Sequence, residues 1–452
     1  MIATAPAAEL RASARRRLLR ASLLVPAAVL ALAAGLRLWG LTSPPATIWD
    51  EHWYVFDAYA YVGGVPSTPG PSFPHIANEM TWMHPPLAKW LIAAGVAPTN
   101  QSVLGWRLPP ALFGIAGVLL CYLVALELWG SPWWAGLAAS LLAMDGLHIV
   151  QSRLATLDIF VTTFVTAGVL FVLRDLRRTA AGPGALVGAR PGLAERLFGT
   201  RERMWAGILF GCAAASKWSG AWAMAVAFAL TLAAVRRNAS GDDRRRDVRT
   251  VLRAYVLLPL AVYLASYIQF FVQHGPDLAG WVGLQWHMLD FQLHGVVWQP
   301  QASPAWSWLL LVHPIQYWGS PRTGAMARGS IWAIGNPALW WPFLALLPAA
   351  IVLAVRGDRP LRLALAFFAS EYLPWLPPGR TEFLYYLLPA VPFMGLVATG
   401  VVRRIPRRWR SRTAVAFLAA NALTAAAFVP VWLGLPASTG LLRALRLLPG
   451  WP

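Results

Sequence analysis

The chain has 452 residues, 58% of them hydrophobic and only 13% charged, with a mean hydropathy of +0.52. A soluble domain carries about 25% charged residues, so this chain cannot coat a water-facing surface, and its main solvent must be lipid. The net charge of +19 would point to nucleic acid in a soluble protein, but 28 of the 38 basic residues fall in short runs at 11–20, 174–203, 236–253, 356–362 and 403–412. Basic loops between apolar runs mark cytoplasmic segments of a membrane protein. Contact with anionic headgroups therefore explains the charge, and nucleic acid is excluded as a partner.

In chain order, Arg15-Arg16-Arg17 precedes an apolar run at 21–35. The run is longer than a signal-peptide core and has no small-residue cleavage site before Arg37, so it is expected as a retained first span. Further apolar runs follow at 105–128, 133–150, 155–173, 254–272, 337–355, 363–378, 384–402 and 413–433. Both flanks of 205–235 are basic, so that stretch must cross an even number of times and is expected to split near Ser216-Lys217-Trp218-Ser219-Gly220. The result is an all-α polytopic membrane protein, a single transmembrane domain over 1–452 with about eleven transmembrane helices. Its N-terminus is expected in the cytoplasm and its C-terminus outside. Two outer segments remain, 42–104 and 273–336. Trp281, Trp286, Trp298, Trp306, Trp308 and Trp318 read as an aromatic belt at the outer boundary. Cys121 and Cys212 lie inside apolar runs and imply no disulfide framework.

Several polar residues sit where lipid makes them costly. Asp50-Glu51 follows the first span among Trp49, Trp53 and Tyr54. Desolvation there would raise a carboxyl pKa and suit a general base; two solvated loop acids are the alternative. His84-Pro85-Pro86-Leu87-Ala88-Lys89-Trp90 opens a short interfacial helix, because proline is tolerated in a first turn whose N–H groups lack partners. Lys89 then lies near a helix N-terminus, where phosphate binds readily, unless it merely snorkels. Arg153 and Asp158 flank the outer mouth of the fourth span, and an acid inside a span is a functional candidate. Asp145 and His148 share a face at the end of the third span and read as structural. The chain keeps Lys at only two positions, 89 and 217, which suggests that a compact ammonium is required there. Arg380 and Glu382 occupy an outer turn before the tenth span. One or two carboxylates with several cations, facing outward at bilayer-surface depth, suit chemistry on a lipid phosphate. The carboxylate would deprotonate an acceptor hydroxyl and the cations would stabilise the departing phosphate.

Four segments carry a resemblance: Trp49-Asp50-Glu51, His84-Pro85-Pro86-Leu87-Ala88-Lys89, Ser152-Arg153-Leu154-Ala155-Thr156-Leu157-Asp158 and Ser216-Lys217-Trp218-Ser219-Gly220. With Gly335-Asn336-Pro337, Trp340-Trp341 and Tyr372-Leu373-Pro374-Trp375 they resemble, in order, the bacterial protein O-mannosyltransferases. The resemblance implies a GT-C glycosyltransferase fold in the bacterial cell membrane. It also implies inverting transfer of mannose from polyprenyl-phosphate mannose to Ser or Thr of secreted or membrane proteins, with the export machinery as a candidate partner. Asp50 matches the family's catalytic acid, with Glu51 beside it. Arg153, Lys217, Lys89 and Arg380 match donor-phosphate positions, and His84, Asp158 and Glu382 are expected to support them. No metal is implied, and no cofactor beyond the lipid-linked donor. Eukaryotic relatives carry an inserted β-trefoil domain between the seventh and eighth spans, for which 273–336 is too short.

Two other readings stand beside this one. A related GT-C enzyme moving another lipid-linked sugar onto a lipid or polysaccharide would present the same donor motifs. A transporter of lipid-linked sugars is disfavoured, because such proteins show repeated halves and midplane sites and neither is visible here.

Overall fold

In a computed structural model of the chain, the structure describes residues 7–63, 83–181, 192–238, 241–296, 299–320, 329–377 and 379–452. Trp298, much of the first outer segment (64–82) and 182–191 of the basic loop lie outside them. The long first helix, α1 (Ala7–Leu38), is followed by two short helices within 42–104, α2 (Glu51–Tyr61) and α3 (Leu87–Val96). Next come α4 (Val103–Trp129), α5 (Pro132–Ala143), α6 (Gly146–Ser152), α7 (Asp158–Ala181) and α8 (Leu193–Phe198). The expected split of 205–235 is seen between α9 (Arg201–Ser216) and α10 (Gly220–Asn238). A π-helical turn joins α11 (Gly241–Leu252) to α12 (Leu258–Ser266). After α13 (Ile268–His274), the segment 273–336 holds α14 (Leu278–His294) and an antiparallel hairpin, β1 (Ile315–Gly319) with β2 (Ser330–Ala333). The chain closes with α15 (Pro337–Val355), α16 (Arg359–Tyr372), α17 (Val391–Val402), α18 (Arg407–Leu433) and α19 (Thr439–Ala444).

Among the described residues, eight helical segments are long and apolar enough to cross a membrane, and the bent pair α5–α6 would make a ninth. Two of the expected crossings are shorter helices, α9 with 16 residues and α16 with 14. The helices start where local chemistry dictates. Ser102 accepts from Gly105 N at the head of α4, Thr200 from Arg203 N at α9, and Asn336 from Ala338 N at α15 with Pro337 next in line. Each of these side chains satisfies an N–H that the helix cannot.

Two segments form the centre. The apolar window of α7 is 83% buried and all of 384–402 is buried, against 22–28% for α1, α10, α15 and α18. The outer helices show large apolar side chains such as Leu23, Val355, Val415 and Leu423, as expected where the solvent is hydrocarbon rather than water. Small residues allow the closest approach: a Cβ on Gly207 of α9 would strike the Ala254 carbonyl, and one on Gly211 would crowd Pro259. This is the small-residue packing typical of membrane helices. The α5–α6 pair bends by 66°. Asp145 fills that bend, accepting from His148 N at 3.0 Å, Asn336 N at 3.0 Å and Trp340 Nε1 at 2.7 Å. His148 Nδ1 meets Arg37 Nη2 at 2.8 Å. Asp145 and His148 are therefore structural, as the sequence suggests. The belt expectation needs one correction. Trp286 and Trp306 are exposed, but Trp308 is buried, its indole packed 6.2 Å from Trp375 and donating to Ser303 O.

Candidate active site

At one end of the bundle, α7 begins with Asp158, α9 ends before Lys217 and α10 begins just after it. The opposite ends of these helices carry Arg174, Arg178, Arg203 and Arg237. Lys217 is the hinge: its backbone is extended (φ −162°, ψ 139°) at the foot of α9, which breaks the helix and aims the ammonium inward. Its Nζ donates to Asp158 Oδ1 at 2.8 Å and lies 4.3 Å from the centre of the Tyr386 ring.

Asp50 approaches from the first outer segment. Three consecutive residues there diverge. Trp49 adopts φ +50° and stacks on Tyr317 of β1 at 4.9 Å, with Phe383 edge-on at 6.0 Å. A non-glycine residue in the left-handed region is strained by about 1 kcal/mol or more and persists only when its surroundings hold it. Asp50 occupies the cap position of α2 but makes no side-chain capping bond. Its Oδ2 instead accepts from the Tyr385 hydroxyl at 2.9 Å. Burial raises its pKa to about 6, opposed by the Tyr385 hydrogen bond and by Lys217.

Glu51 turns the other way. Its Oε1 accepts from Arg107 Nε at 2.9 Å and Ala155 N at 3.0 Å. Its Oε2 accepts from Arg107 Nη2 at 2.8 Å and Ile48 N at 3.1 Å. Arg107 also donates to the carbonyls of Leu41, Pro44 and Ala46. With every lone pair engaged and no exposure, Glu51 is a bracket between the first outer segment, α4 and the turn before α7. Of the two acids grouped as catalytic, Asp50 lines the cavity, whereas Glu51 points away from it and pairs with a cation, Arg107.

Asp50 opens into a cavity of about 330 Å³ lined by Trp49, Trp53, Tyr54, Phe291, Phe383 and Tyr385 among others. Among the described residues, Asp50 is the one acid in that lining. A second cavity of about 520 Å³ adjoins it, walled by Trp218, Trp222, Leu289, Leu293, Pro374 and Trp375, with Glu382 on its rim. Three residues belong to both linings: His84, Lys217 and Arg380. Arg380 donates to the side chain of Gln292 on α14 and to Tyr386 Oη at 3.0 Å. Burial, together with Lys217, Lys89 and Arg380, holds the His84 imidazole well below its usual range. Burial raises Glu382 to about 7, against the pull of Arg380.

Of the other expected cations, Lys89 lines the first cavity but is also paired with Asp57 Oδ2 at 2.8 Å, both buried. Arg153 does not reach either lining. Its guanidinium donates to the carbonyls of Arg37 at 3.0 Å, Trp39 at 2.7 Å and Gly40 at 3.0 Å. The end of α1 leaves those carbonyls without helical partners, and Arg153 supplies the donors. Arg153, expected at the phosphate, thus closes α1 and stands apart from the other expected cations. Asp158, expected as a supporting residue, stands behind Lys217. Sequence reasoning missed Asp57, Arg107 and the role of Tyr385. The available signals were an acid within an aromatic run for Asp57 and an arginine outside the basic clusters for Arg107. Nothing local marks Tyr385 as Asp50's partner. Among the described residues, no group of three or more His, Cys, Asp or Glu could hold a metal ion.

This bundle, with an acid and cations gathered at one end, has the fold of the GT-C membrane glycosyltransferases. It superposes on the S. cerevisiae protein O-mannosyltransferase Pmt1-Pmt2 complex bound to the sugar donor with TM-score 0.79 at 14% identity, covering 95% of this chain and 92% of that one. ArnT from Cupriavidus metallidurans follows with TM-score 0.57 at 14% identity, over 93% of this chain and 77% of that one. The sequence profile described as dolichyl-phosphate-mannose-protein mannosyltransferase matches residues 27–274, and that of the C-terminal four-helix region of protein O-mannosyltransferase matches 278–451. Polyprenol-phosphate-mannose–protein mannosyltransferases are similar along nearly their whole length. The Mycobacterium tuberculosis protein is 30% identical over 92% of this chain and 88% of its own. The Corynebacterium glutamicum protein is 27% identical over 92% and 91%. The chain belongs to the dolichyl-phosphate-mannose-protein mannosyltransferase family and is a multi-pass membrane glycosyltransferase.

Proposed function

We propose that the chain transfers mannose from polyprenyl-phosphate mannose to Ser or Thr hydroxyls of exported proteins, in one inverting step with Asp50 as the base. The observation that carries this reading is the seam between the two cavities, where all three shared residues, His84, Lys217 and Arg380, bear nitrogen donors. A sugar phosphate ester of a lipid has three parts, and the two spaces and their seam suit them in order. The aromatic cavity takes the sugar beside Asp50, the seam takes the phosphate, and the Trp- and Leu-walled cavity takes the first part of the lipid chain.

The acceptor oxygen attacks the anomeric carbon as its proton passes to Asp50. The bond from that carbon to the phosphate oxygen breaks, and its electron pair stays on the phosphate. Charge on the phosphate grows in the transition state, where fixed cations stabilise it most. Asp50 lines the sugar space with the shared cations at its edge, an arrangement that suits direct displacement with Asp50 as the base. Lys217 and Arg380 carry the main phosphate contacts, with Lys89 near them. The arginine-bearing ends of α7, α9 and α10 lie away from the cavities, which supports an outward-facing site and cytoplasmic arginines. The N-terminus is then cytoplasmic and the C-terminus outside, and the acceptor would arrive extended from the export machinery. The test is to incubate the purified protein in vesicles with labelled polyprenyl-phosphate mannose and a Ser/Thr-rich peptide. Label in the peptide, released by β-elimination as mannose, is expected; label confined to lipid would overturn the reading.

A further inference from the structure

At the seam, most polar groups already have partners. Lys217 is held by Asp158 at 2.8 Å, Lys89 by Asp57 at 2.8 Å, and Arg380 by Gln292 and Tyr386. His84 differs. It makes no hydrogen bond or ion pair among the described residues, and the Tyr54 ring lies 6.4 Å from its own. It is partly buried, at the point where the chain enters α3 through Pro85-Pro86, and both cavities touch it. Among the described residues its ring is thus an unused donor at the boundary between sugar space and lipid space.

Resting on the donor-phosphate reading above, we propose that His84 binds the phosphate as an uncharged N–H donor, so that the site grips the substrate firmly without over-holding the product. The charge arithmetic gives the reason. The donor is a phosphodiester with one negative charge. The product is a phosphomonoester whose second ionisation lies near pH 6, so it carries nearly two near neutrality. Every full cation at the seam favours product over substrate, and an enzyme gains nothing by binding its product tightly. A neutral imidazole N–H adds orientation and hydrogen-bond strength to both ligands with little preference for the second charge. The groups facing His84 set its state. Lys217 comes from the α9–α10 break, Lys89 from α3 and Arg380 from the turn before 384–402. Asp50 and Tyr54 share the first cavity with it, and Glu382 and His294 share the second. Three cations close by make a fourth costly.

The experiment measures binding of two probes, undecaprenyl phosphate and undecaprenyl-phosphate mannose, to the full chain in nanodiscs, alongside steady-state transfer. His84→Ala should weaken both probes roughly 10- to 100-fold, the loss of a hydrogen bond to a charged group. His84→Gln, which keeps a neutral N–H, should recover most of that. His84→Lys should tighten undecaprenyl phosphate about tenfold more than the mannosylated probe, on the order of one added charge contact, and should lower kcat and KM together. A pH series between about 5.5 and 8 is run in the Asp50→Asn background to remove that group's titration. The difference between Asp50→Asn and Asp50→Asn/His84→Gln should be flat across the range. A difference that grows as pH falls would mean that His84 works as a cation and would overturn the proposal, as would unchanged binding in His84→Ala. If the wild-type chain binds neither probe, the donor reading itself fails, and this inference falls with it.

Discussion

Tyr385 donates its phenolic hydrogen to Oδ2 of Asp50 at 2.9 Å, joining positions 335 residues apart in the chain. The same ring lies 5.5 Å from Phe383, 6.0 Å from Tyr317 and 5.8 Å from the Lys217 ammonium. Tyr385 therefore fixes the base relative to both the strand behind Trp49 and the cation at the seam. The first prediction follows from that placement. Asp50→Asn keeps the shape and the Tyr385 contact but cannot take a proton. Transfer should fall about 10²–10⁴-fold, the usual cost of a lost general base. Binding of the lipid donor should survive. Near wild-type turnover in a folded Asp50→Asn protein would remove Asp50 from the base role.

The pH profile gives a second check. Burial raises Asp50 to about 6, and the base works only when ionised. Transfer should thus be level above pH 7 and decline as pH falls through about 6, approaching tenfold per unit below it. A hydrogen bond to the ionised form lowers a carboxyl pKa, so Tyr385→Phe should move the acid limb upward by roughly one unit. An acid limb that stays in place, or moves down, would show that the phenol does not stabilise the carboxylate.

Lys217 should be specific for an ammonium. Lys217→Ala removes a charge-assisted bond worth about 1.5–3 kcal/mol, so donor use should drop roughly 10- to 150-fold. Lys217→Arg should recover little, because a planar fork cannot occupy the space between Asp158 and the Tyr386 ring as a compact charge does. Titration of the labelled donor against each variant decides this, and full activity in Lys217→Arg would argue against it.

For Glu51 and Arg107 the expected loss is of stability. Removing one partner of a fully buried pair commonly costs about 3–5 kcal/mol because the other charge is left unpaired. Glu51→Ala and Arg107→Ala should melt far below wild type in detergent or fail to accumulate. Glu51→Gln keeps the shape and two of the four acceptor sites but turns an amide NH2 toward two N–H donors, so it should cost less than Glu51→Ala without matching wild type. If folded Glu51→Gln instead retained wild-type melting and lost transfer by orders of magnitude, Glu51 would belong in the chemistry after all.

Arg153 separates the motif from the site. Arg153→Ala should lower the melting temperature, since the carbonyls of Arg37 and Trp39 lose the guanidinium donor and that of Gly40 keeps only Ser43 N. Donor KM of the folded protein should be unchanged. A selective rise in donor KM would return Arg153 to the phosphate.

The membrane class, the apolar segments, the break at Lys217 and the candidate base were readable from the sequence, because each depends on local composition. Lipid tolerates little charge, so a run of apolar residues declares itself, and an isolated Lys217 or Asp158 within one stands out. What each polar residue does there was a matter of direction, and direction is set by partners far away in the chain. Asp50 and Glu51 are neighbours, yet one meets Tyr385 and the other Arg107. Lys217 and Arg153 both looked like phosphate ligands. The tertiary fold turned Lys217 into the seam and Arg153 onto the end of α1, because buried carbonyls without helical partners demand donors as strongly as a substrate does.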